Sequence, residues 1–322
     1  MNILITGAAG YIGSALVREL VDEEHFIISL DNLIRGNFRY LASYRETPNL
    51  KLLIGDIRNP KELEKTLESY RDIDVIVHLA AIPGMERCKK DPENAITTNI
   101  YGTHNVLEFA RKHDIGKIIF TSSAAVYGNP IKTPIREDHP LSPTHLYGVT
   151  KLAAEKLLCA YYQNYGLNVV ILRLGNVYGV GLYTYWETVI PKFVRQALTQ
   201  QPLTIYGDGS QSRDFVHVLD VVQAIKLVLE ADKGIAGETF NIASGKPTSV
   251  ISVADMVRKI IKERFNEKVK IVYLPPRKGE PYIKDFCLSI DKVKKRLGFK
   301  PRWTLEAGIN QLVDFYLESG GA

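Results

Sequence analysis

Short apolar runs alternate with longer segments of helical periodicity through the first half of the chain. The short runs span residues 2–6, 26–30, 50–54, 75–79, 117–121 and 169–172. They are nearly all apolar rather than alternating, which is typical of strands that are covered on both faces. The apolar spacing between them predicts helices after Gly13 and over residues 60–70, 91–113 and 147–165. Strand–helix alternation of this kind predicts an α/β fold with a doubly wound parallel sheet.

The pattern changes after Leu174. Helical segments recur over residues 188–200, 220–230, 252–265 and 304–318, separated by short strands and Gly/Pro loops. We therefore predict two units, a sheet domain over residues 1–174 and a smaller, α-rich substrate lobe over residues 175–322.

Cysteine usage and hydropathy indicate in which cellular compartment the protein is expected. Three of the 322 residues are cysteines, Cys88, Cys159 and Cys287, and their spacing suggests no pairing. Reduced thiols are the simplest interpretation, which favours the cytoplasm. Strand-like sequence begins at Asn2, so a signal peptide is not expected. No apolar run approaches the roughly 18 residues of a membrane span, so no membrane association is expected.

The net charge and its distribution limit which classes of binding partner are expected. The formal net charge is +5 at pH 7, and it is dispersed along the chain. No basic stripe is interleaved with aromatic residues, so nucleic acid is not expected as a partner, whereas an anionic small molecule suits the weak positive bias. None of the seven histidines pairs with Cys, Asp or Glu at metal-ligand spacing, so no metal is expected.

A glycine-rich turn follows the first predicted strand and precedes the first helix. Gly7, Gly10 and Gly13 are spaced G-x-x-G-x-x-G rather than the usual G-x-G-x-x-G. Glycine permits positive φ and close approach of backbone to phosphate, and a helix N-terminus attracts a pyrophosphate. The alternative is a turn that only packs helix on strand. The flanking strand and helix favour a Rossmann-type dinucleotide site.

An acid at the end of the second strand favours NAD over NADP. Asp31 can hydrogen-bond both ribose hydroxyls and would repel a 2′-phosphate, although Arg35 nearby leaves NADP as the alternative. Four more residues follow the third and fourth strands, at the edge where open α/β sheets bind ligands: Asp56, Ile57, Ala80 and Ala81.

A second motif places a phenol and an ammonium one helical turn apart. Tyr147 and Lys151 share a helix face. Tyrosine, with an unperturbed pKa of about 10, is a poor base at neutral pH, but a nearby ammonium favours the phenolate. Ser123, after the fifth strand, supplies a hydroxyl that can orient a substrate oxygen. Although Y-x-x-x-K alone is usually structural, these residues together predict a proton-transfer site beside a hydride carrier.

With these motifs the chain resembles the extended short-chain dehydrogenase/reductase family, and within it the nucleotide-sugar C4 epimerases of the UDP-glucose 4-epimerase type. The resemblance covers nearly the whole length. The matching stretches are residues 7–13, 31–32, 55–57, 78–81, 98–103, 121–128, 147–151, 173–179, 203–207, 213–218 and 240–242.

The resemblance implies an enzyme that uses NAD and a nucleotide-sugar substrate. The residues implied at the cofactor are Gly7, Gly10, Tyr11, Ile12, Asp31, Asn32, Asp56, Ile57, Ala80, Ala81, Asn99, Tyr147 and Lys151. The residues implied at the substrate are Ser123 at the sugar, Asn176, Arg213 and Arg277 at the diphosphate, and Tyr206 against the nucleobase.

The resemblance also bears on the reaction. Members that eliminate water or decarboxylate carry an acid or an acid–amide pair directly after the serine strand, where this chain has Ala124 and Ala125. This favours C4 epimerisation through a 4-keto sugar, with UDP-glucose and UDP-galactose as the expected pair. The alternatives are a net NAD(P)-dependent nucleotide-sugar oxidoreductase or dehydratase of the same family, and an NAD-sensing binding protein.

Two further expectations come from the family. Residues 277–287 are longer than the usual pattern, so Lys284 or Phe286 could occupy the position that admits or excludes an N-acetyl group. The helices over residues 91–113 and 147–165 are expected to pair across a two-fold axis into a homodimer. Its candidate contacts are Leu107, Leu158, Tyr161 and Tyr162, for which burial within the monomer is the alternative.

Overall fold

Strands and helices alternate along the chain in a computed structural model that describes residues 1–34, 37–44, 46–181, 186–276 and 283–319, apart from the side chains at positions 39, 40 and 233. The strands are β1 (Asn2–Thr6), β2 (Phe26–Asp31), β3 (Leu50–Ile54), β4 (Val75–His78), β5 (Lys117–Ser123), β6 (Val169–Leu174), β7 (Asn176–Tyr178), β8 (Leu203–Tyr206), β9 (Ser212–His217), β10 (Thr239–Ile242), β11 (Pro247–Ser249) and β12 (Ile271–Leu274). The helices are α1 (Tyr11–Leu20), α2 (Pro60–Thr66), α3 (Met85–Lys90), α4 (Pro92–Ile96), α5 (Thr103–Lys112), α6 (Leu146–Tyr165), α7 (Val189–Leu198), α8 (Val218–Glu230), α9 (Val250–Phe265), α10 (Asp291–Leu297) and α11 (Leu305–Glu318).

Within the described residues, seven parallel strands form one sheet, in the order β10-β6-β5-β4-β1-β2-β3. The predicted α/β fold with a doubly wound parallel sheet is confirmed. Chain order reverses between β1 and β4, so the connections after these two strands diverge and open a crevice at the carboxyl edge of the sheet. All six strands predicted for the first half are present, and β5 and β6 extend two residues further, to Ser123 and Leu174.

The sheet is buried on both faces, which explains its apolar strands. Ile3 and Ile5 of β1 belong to a core shared with α1 and α8. Leu4, between them, points to the other face and joins a core shared with α5 and α6. Leu107, Leu158 and Tyr161 are buried in that second core, so these candidate dimer contacts pack within the monomer.

The helix predicted over residues 91–113 contains a π-helical turn. Thr97–Gly102 forms this turn between α4 and α5, and the segment carries Asn99. Single π-helical turns are rare and frequently mark functional sites. The helix predicted over residues 60–70 is shorter than expected, since α2 ends at Thr66.

The second half contributes its own layer and also extends the large sheet. In its described part, β7, β9 and β11 form a small sheet, β8 pairs with β12, and α7, α9 and α11 pack around a third core. However, β10 pairs with β6, and α8 packs on α1. The division between residues 174 and 175 stays a prediction, while α8 and β10 lie with the large sheet.

Candidate active site

The glycine turn closes tightly between β1 and α1. Gly7 has a φ of 73°, and its N–H donates to the Leu30 carbonyl at 2.8 Å. A Cβ on Gly7 would lie 2.7 Å from the Ala80 nitrogen, and one on Gly13 would lie 2.2 Å from the Gly7 oxygen. Because neither position has room for a side chain, backbone alone faces the crevice before α1, as a pyrophosphate requires.

A cleft opens at the carboxyl edge of the sheet, beside this turn. It brings together eleven of the residues predicted at the cofactor: Gly7, Gly10, Tyr11, Ile12, Asp31, Asn32, Ile57, Ala80, Ala81, Tyr147 and Lys151. Asp56 and Asn99, which were also predicted there, are not among the described residues that line it.

Asp31 ends β2 beside the glycine turn. Its carboxylate accepts hydrogen bonds from the backbone N–H of Leu33 at 2.8 Å and of Ala9 at 3.0 Å. Burial raises the pKa of Asp31, and these two hydrogen bonds oppose that effect without cancelling it. The half-buried acid therefore stands at the cleft where a ribose diol would need an acceptor.

Asp56 does not line the cleft but hydrogen-bonds a residue that does. Arg58 Nε donates to both of its carboxylate oxygens at 3.0 Å, and Asn32 Nδ2 donates to Oδ2 at 3.1 Å. Burial tends to raise the pKa of Asp56, but the Arg58 hydrogen bonds outweigh burial and hold that pKa below its usual range. Asp56 thereby anchors Asn32, which does line the cleft.

Asn99, in the π-helical turn, holds the loop after β4. Its Oδ1 accepts from the Ile82 N–H at 2.7 Å, and its Nδ2 donates to the Ile82 carbonyl at 3.1 Å and to Thr150 Oγ1 at 3.0 Å. The amide is 1% exposed, so protein partners satisfy it. Its predicted contact with the cofactor stays a prediction, whereas its hold on the loop is direct.

Helix α6 places Tyr147 and Lys151 on the cleft wall. His145 caps the helix, its Nδ1 accepting from the Gly148 N–H at 3.2 Å. The His145 ring lies parallel to that of Tyr147, with centroids 6.3 Å apart. Lys151 lies four positions after Tyr147 on the helix, so the phenol and the ammonium share one helix face, as predicted.

Lys151 is buried against β5. Its Nζ donates to the Thr121 carbonyl at 2.8 Å and lies 4.5 Å from the centre of the Phe120 ring. Burial lowers the pKa of Lys151 to about 8, and the charge of Glu155 opposes this fall. The side chain therefore remains mostly an ammonium at neutral pH, although it is buried.

Ser123 is the last residue of β5. Its Oγ accepts from the Ala125 N–H at 3.2 Å and so caps the 3₁₀ turn Ala124–Tyr127. A hydroxyl that accepts one bond can still donate another, so its proton remains suitable for a substrate oxygen. Thr121 and Ser122, next to it, line the cleft, whereas Ser123 is not among the described lining residues.

Apart from Ser123, the residues predicted at the substrate belong to the second half of the chain. Asn176 is exposed on β7, and Tyr206 ends β8 with Lys192 Nζ 5.4 Å from its ring centre. Arg213 Nη1 donates to the carbonyls of Ser212 and Ile283, at 2.7 and 3.0 Å. Arg277 and Arg35 lie outside the described residues. Of the two candidates for an N-acetyl position, Lys284 is exposed and Phe286 is buried in the core shared with α1.

Several cleft residues were missed from the sequence: Ile82, Pro83, Thr98, Thr121, Ser122 and Leu174. Thr121 and Ser122 stand at the carboxyl end of a parallel strand, the same criterion that identified Ala80 and Ala81. Applied to every strand, this criterion would have found them. Thr98 carries no such signal, because its place depends on how the π-helical turn folds.

No group of three or more His, Cys, Asp or Glu side chains in the described ranges could hold a metal ion. No helix within those ranges is long and apolar enough to cross a membrane.

Comparison with known proteins identifies the class. Residues 3–243 match the NAD dependent epimerase/dehydratase family, so the chain belongs to this family, which confirms the resemblance drawn from the motifs. The chain is 38% identical over 315 residues to a putative UDP-glucose 4-epimerase of Methanocaldococcus jannaschii, with 97% of each chain covered.

Solved structures of enzymes that catalyse two different reactions resemble this chain closely. A UDP-glucuronic acid 4-epimerase from Bacillus cereus, in complex with UDP-glucuronic acid and NAD, has a TM-score of 0.90 and 32% identity, over 99% of this chain and 100% of that one. A dTDP-glucose 4,6-dehydratase from Streptomyces venezuelae with NAD bound has a TM-score of 0.89 and 31% identity. The match covers 100% of this chain and 98% of that one. The protein is therefore an NAD-dependent enzyme of the nucleotide-sugar epimerase and dehydratase class.

Proposed function

We propose that this enzyme inverts C4 of a nucleotide hexose, with UDP-glucose and UDP-galactose as the pair, and retains its NAD. The observation that carries the proposal is the set of side chains around the cleft. Tyr147 and Lys151 share the cleft with the glycine turn, while the turn after Ser123 begins with Ala124 and Ala125. This set supports one proton transfer beside a hydride carrier and no second one after the serine.

Each catalytic side chain has one task in this proposal. The Lys151 ammonium favours the phenolate of Tyr147, which takes the proton of the sugar 4-hydroxyl. Ser123 donates a hydrogen bond to the same oxygen. Bound NAD supplies reversible acceptance of the C4 hydride, so the sugar can pass through a 4-keto form. The 4-keto sugar takes its hydride back on the opposite face of C4, which inverts the configuration, and Tyr147 returns the proton to the 4-oxygen.

The second half of the chain would hold the nucleotide. Arg213 and Arg277 carry the charges that a diphosphate requires, and Asn176 offers an amide for the same group. Tyr206 offers a ring for the nucleobase. These roles rest on the family resemblance and, for Asn176, Tyr206 and Arg213, on positions outside the described lining of the cleft.

A substrate panel tests the reaction. Wild-type protein with NAD is incubated with UDP-glucose, UDP-glucuronic acid or dTDP-glucose, and products are identified by proton NMR. We expect UDP-galactose from UDP-glucose, without net NADH. UDP-glucuronic acid is the second candidate substrate, because a solved relative binds it. Accumulation of NADH, a 4-keto-6-deoxy product, or no turnover of UDP-glucose contradicts the proposal.

Tyr147→Phe tests the base. Removing the phenolic oxygen should lower turnover at least about a hundredfold, because general acid–base catalysis contributes that much or more. Tyr162→Phe, on the same helix but 39% exposed, is the matched control and should keep wild-type turnover. Equal activity of Tyr147→Phe and wild type would leave an NAD-binding protein whose chemistry, if any, does not use this tyrosine.

We further propose a cytoplasmic homodimer. The three cysteines are unpaired, which suits a reducing compartment. On the helices expected to pair, Tyr101 and Val149 expose 49% and 45% of their surface. These exposed apolar groups, rather than the buried Leu107, Leu158 and Tyr161, are the contacts that a second copy would cover.

Sedimentation tests the dimer. The expected mass is twice the 36.2 kDa of the chain. Tyr101→Glu would place a charge in the interface and should yield a monomer. Tyr273→Glu, at a tyrosine 55% exposed on β12, is the control and should leave the mass unchanged. A monomeric wild-type protein at micromolar concentration would exclude this interface.

A further inference from the structure

A buried ion pair lies one helical turn beyond Lys151. Glu155 follows on α6, and Arg173 faces it from β6. Arg173 Nε donates to Glu155 Oε1 at 3.0 Å, and Arg173 Nη2 donates to Oε2 at 2.7 Å. Only 3% of the Glu155 side chain and 6% of the Arg173 side chain are exposed. The contact is thus bidentate and shielded from water, where charges interact strongly.

The other end of the guanidinium reaches the turn that Ser123 caps. Arg173 Nη1 donates to Tyr127 OH and to the Glu137 carbonyl, both at 3.0 Å. Tyr127 ends that turn, and its hydroxyl donates to Asn241 Oδ1 of β10 at 2.7 Å. One arginine therefore ties the helix of the proton-transfer pair to the strand end that carries the serine.

The remaining titratable groups packed near Lys151 are uncharged at neutral pH. Burial lowers the pKa of His78, on β4, to about 3. Burial raises the pKa of Cys88, on α3, to about 11, and that of Tyr127 to about 12.

Other charged side chains on neighbouring elements point to solvent or lie further away. Those on α3 and α4 are exposed or half-exposed: Glu86, Arg87, Lys89, Lys90 and Glu93. On α5, His104 and Glu108 contact Tyr161, further along α6, and Lys117 of β5 binds the carbonyls of Val228 and Ala231. Among the carboxylates of the described chain, Glu155 is the one whose charge raises the pKa of Lys151.

The pair is not explained by stability. A buried ion pair seldom stabilises a fold more than apolar side chains of similar volume would. We infer that Glu155 is a positioning residue, which holds and neutralises Arg173 so that the net positive charge beneath Tyr147 resides on Lys151. The consequence for Tyr147 rests on the proposed function, whereas the charge balance itself can be measured without substrate.

The direction of the effect follows from the two charges. The carboxylate of Glu155 raises the pKa of Lys151 against the effect of burial, which leaves it at about 8. Without that carboxylate, the guanidinium of Arg173 would stay charged and disfavour a second cation nearby. A pKa of Lys151 lowered by one pH unit would lie at neutral pH, where half of the lysine would be uncharged.

Carbon NMR of full-length protein labelled at lysine Cε measures this pKa, with the Lys151 signal assigned by its loss in Lys151→Arg. Glu155→Gln is expected to lower the pKa of Lys151 by about one pH unit, and Arg173→Gln to raise it by a similar amount. Glu108→Gln is the matched control, because Glu108 pairs with Arg111 on a neighbouring helix. It should leave the Lys151 titration unchanged.

A merely structural pair predicts a different result. Loosened packing would admit water and raise the pKa of Lys151 toward its usual value of 10.5 in both variants. An unchanged or raised pKa in folded Glu155→Gln overturns the inference. If Glu155→Gln does not fold, Arg173→Gln is compared with the double variant Glu155→Gln/Arg173→Gln. A higher pKa in Arg173→Gln supports the inference, and equal values overturn it.

These titrations separate the inference from the proposed function. A wild-type protein that turns over none of the nucleotide sugars contradicts the proposed function and leaves the charge balance testable. Conversely, active enzyme with an unmoved Lys151 titration in Glu155→Gln contradicts only the inference.

Discussion

Lys151 shows how burial changes the pKa of a lysine side chain. The folded protein holds it at a pKa of about 8, whereas the usual value is 10.5, and burial is the main cause. Between these two pH values the unfolded chain binds the proton more tightly than the folded protein does. Stability therefore rises with pH across this window, and below it the buried ammonium lowers the free energy of unfolding in full.

Lys151→Met should accordingly stabilise the protein while inactivating it. We expect the free energy of unfolding at pH 7 to rise by up to roughly 3 kcal/mol, the equivalent of the lowered pKa. Urea unfolding at pH 7 and above pH 10 measures this, and the gain should shrink at the higher pH. Lys262→Met, at an exposed lysine of α9, should show no gain. Destabilisation of Lys151→Met at both pH values would contradict this account of the site.

For single residues, the sequence was informative where a residue type and its position in a helix or strand together indicated a role. Tyr147 and Lys151 could be placed on one face because helical spacing alone brings them together. Asn99 and Asp56 stay predicted at the cofactor, and in the structure they hydrogen-bond the Ile82 loop and Arg58, respectively. No sequence pattern reveals such partners, because they depend on which loops meet.

Among the elements, the β1–α1 turn depends on close backbone packing. The Gly7 nitrogen is bonded to β2, and Gly13 lies against the Gly7 carbonyl. A side chain at residue 13 must therefore displace the backbone that faces the cleft. We therefore expect the turn to admit a pyrophosphate only while this contact stays close.

Gly13→Ala should weaken NAD binding at least about tenfold, a loss of roughly 1.4 kcal/mol. Calorimetric titration of NAD into the protein measures this. Gly298→Ala is the control, since a Cβ there meets nothing within 4 Å, and the positive φ of 67° should lower stability alone. Unchanged NAD affinity in folded Gly13→Ala would argue that the turn does not bind the cofactor.

The sequence largely predicted which segments form strands and which form helices, but not where strands end or where a helix contains a π-helical turn. Apolar runs identified every strand of the first half, since burial on both faces leaves a simple pattern. The π-helical turn Thr97–Gly102 was predicted as ordinary helix, because one widened turn hardly changes the apolar spacing. Strand ends were also placed too early at β5 and β6, where Ser122, Ser123 and Arg173 are polar yet still paired.

Across the whole molecule, the two halves of the chain share one sheet. Thr239–Ile242 pairs with β6 although some 65 residues separate them, and α8 covers the same sheet. Local pattern cannot reveal a pairing of this kind, because the partner strand is chosen by tertiary packing. The consequence is that the cleft and the Arg173 network, which reaches Asn241 of β10, form one structure with part of the second half.

The central claim is that a hydride leaves and returns to one sugar carbon beside Tyr147. UDP-glucose that carries deuterium at C4 tests this most directly, with products analysed by NMR and mass spectrometry. From this substrate we expect UDP-galactose that keeps deuterium at C4, with no net NADH. Deuterium at C6 of a 4-keto-6-deoxy sugar, or its accumulation in reduced cofactor, would contradict it.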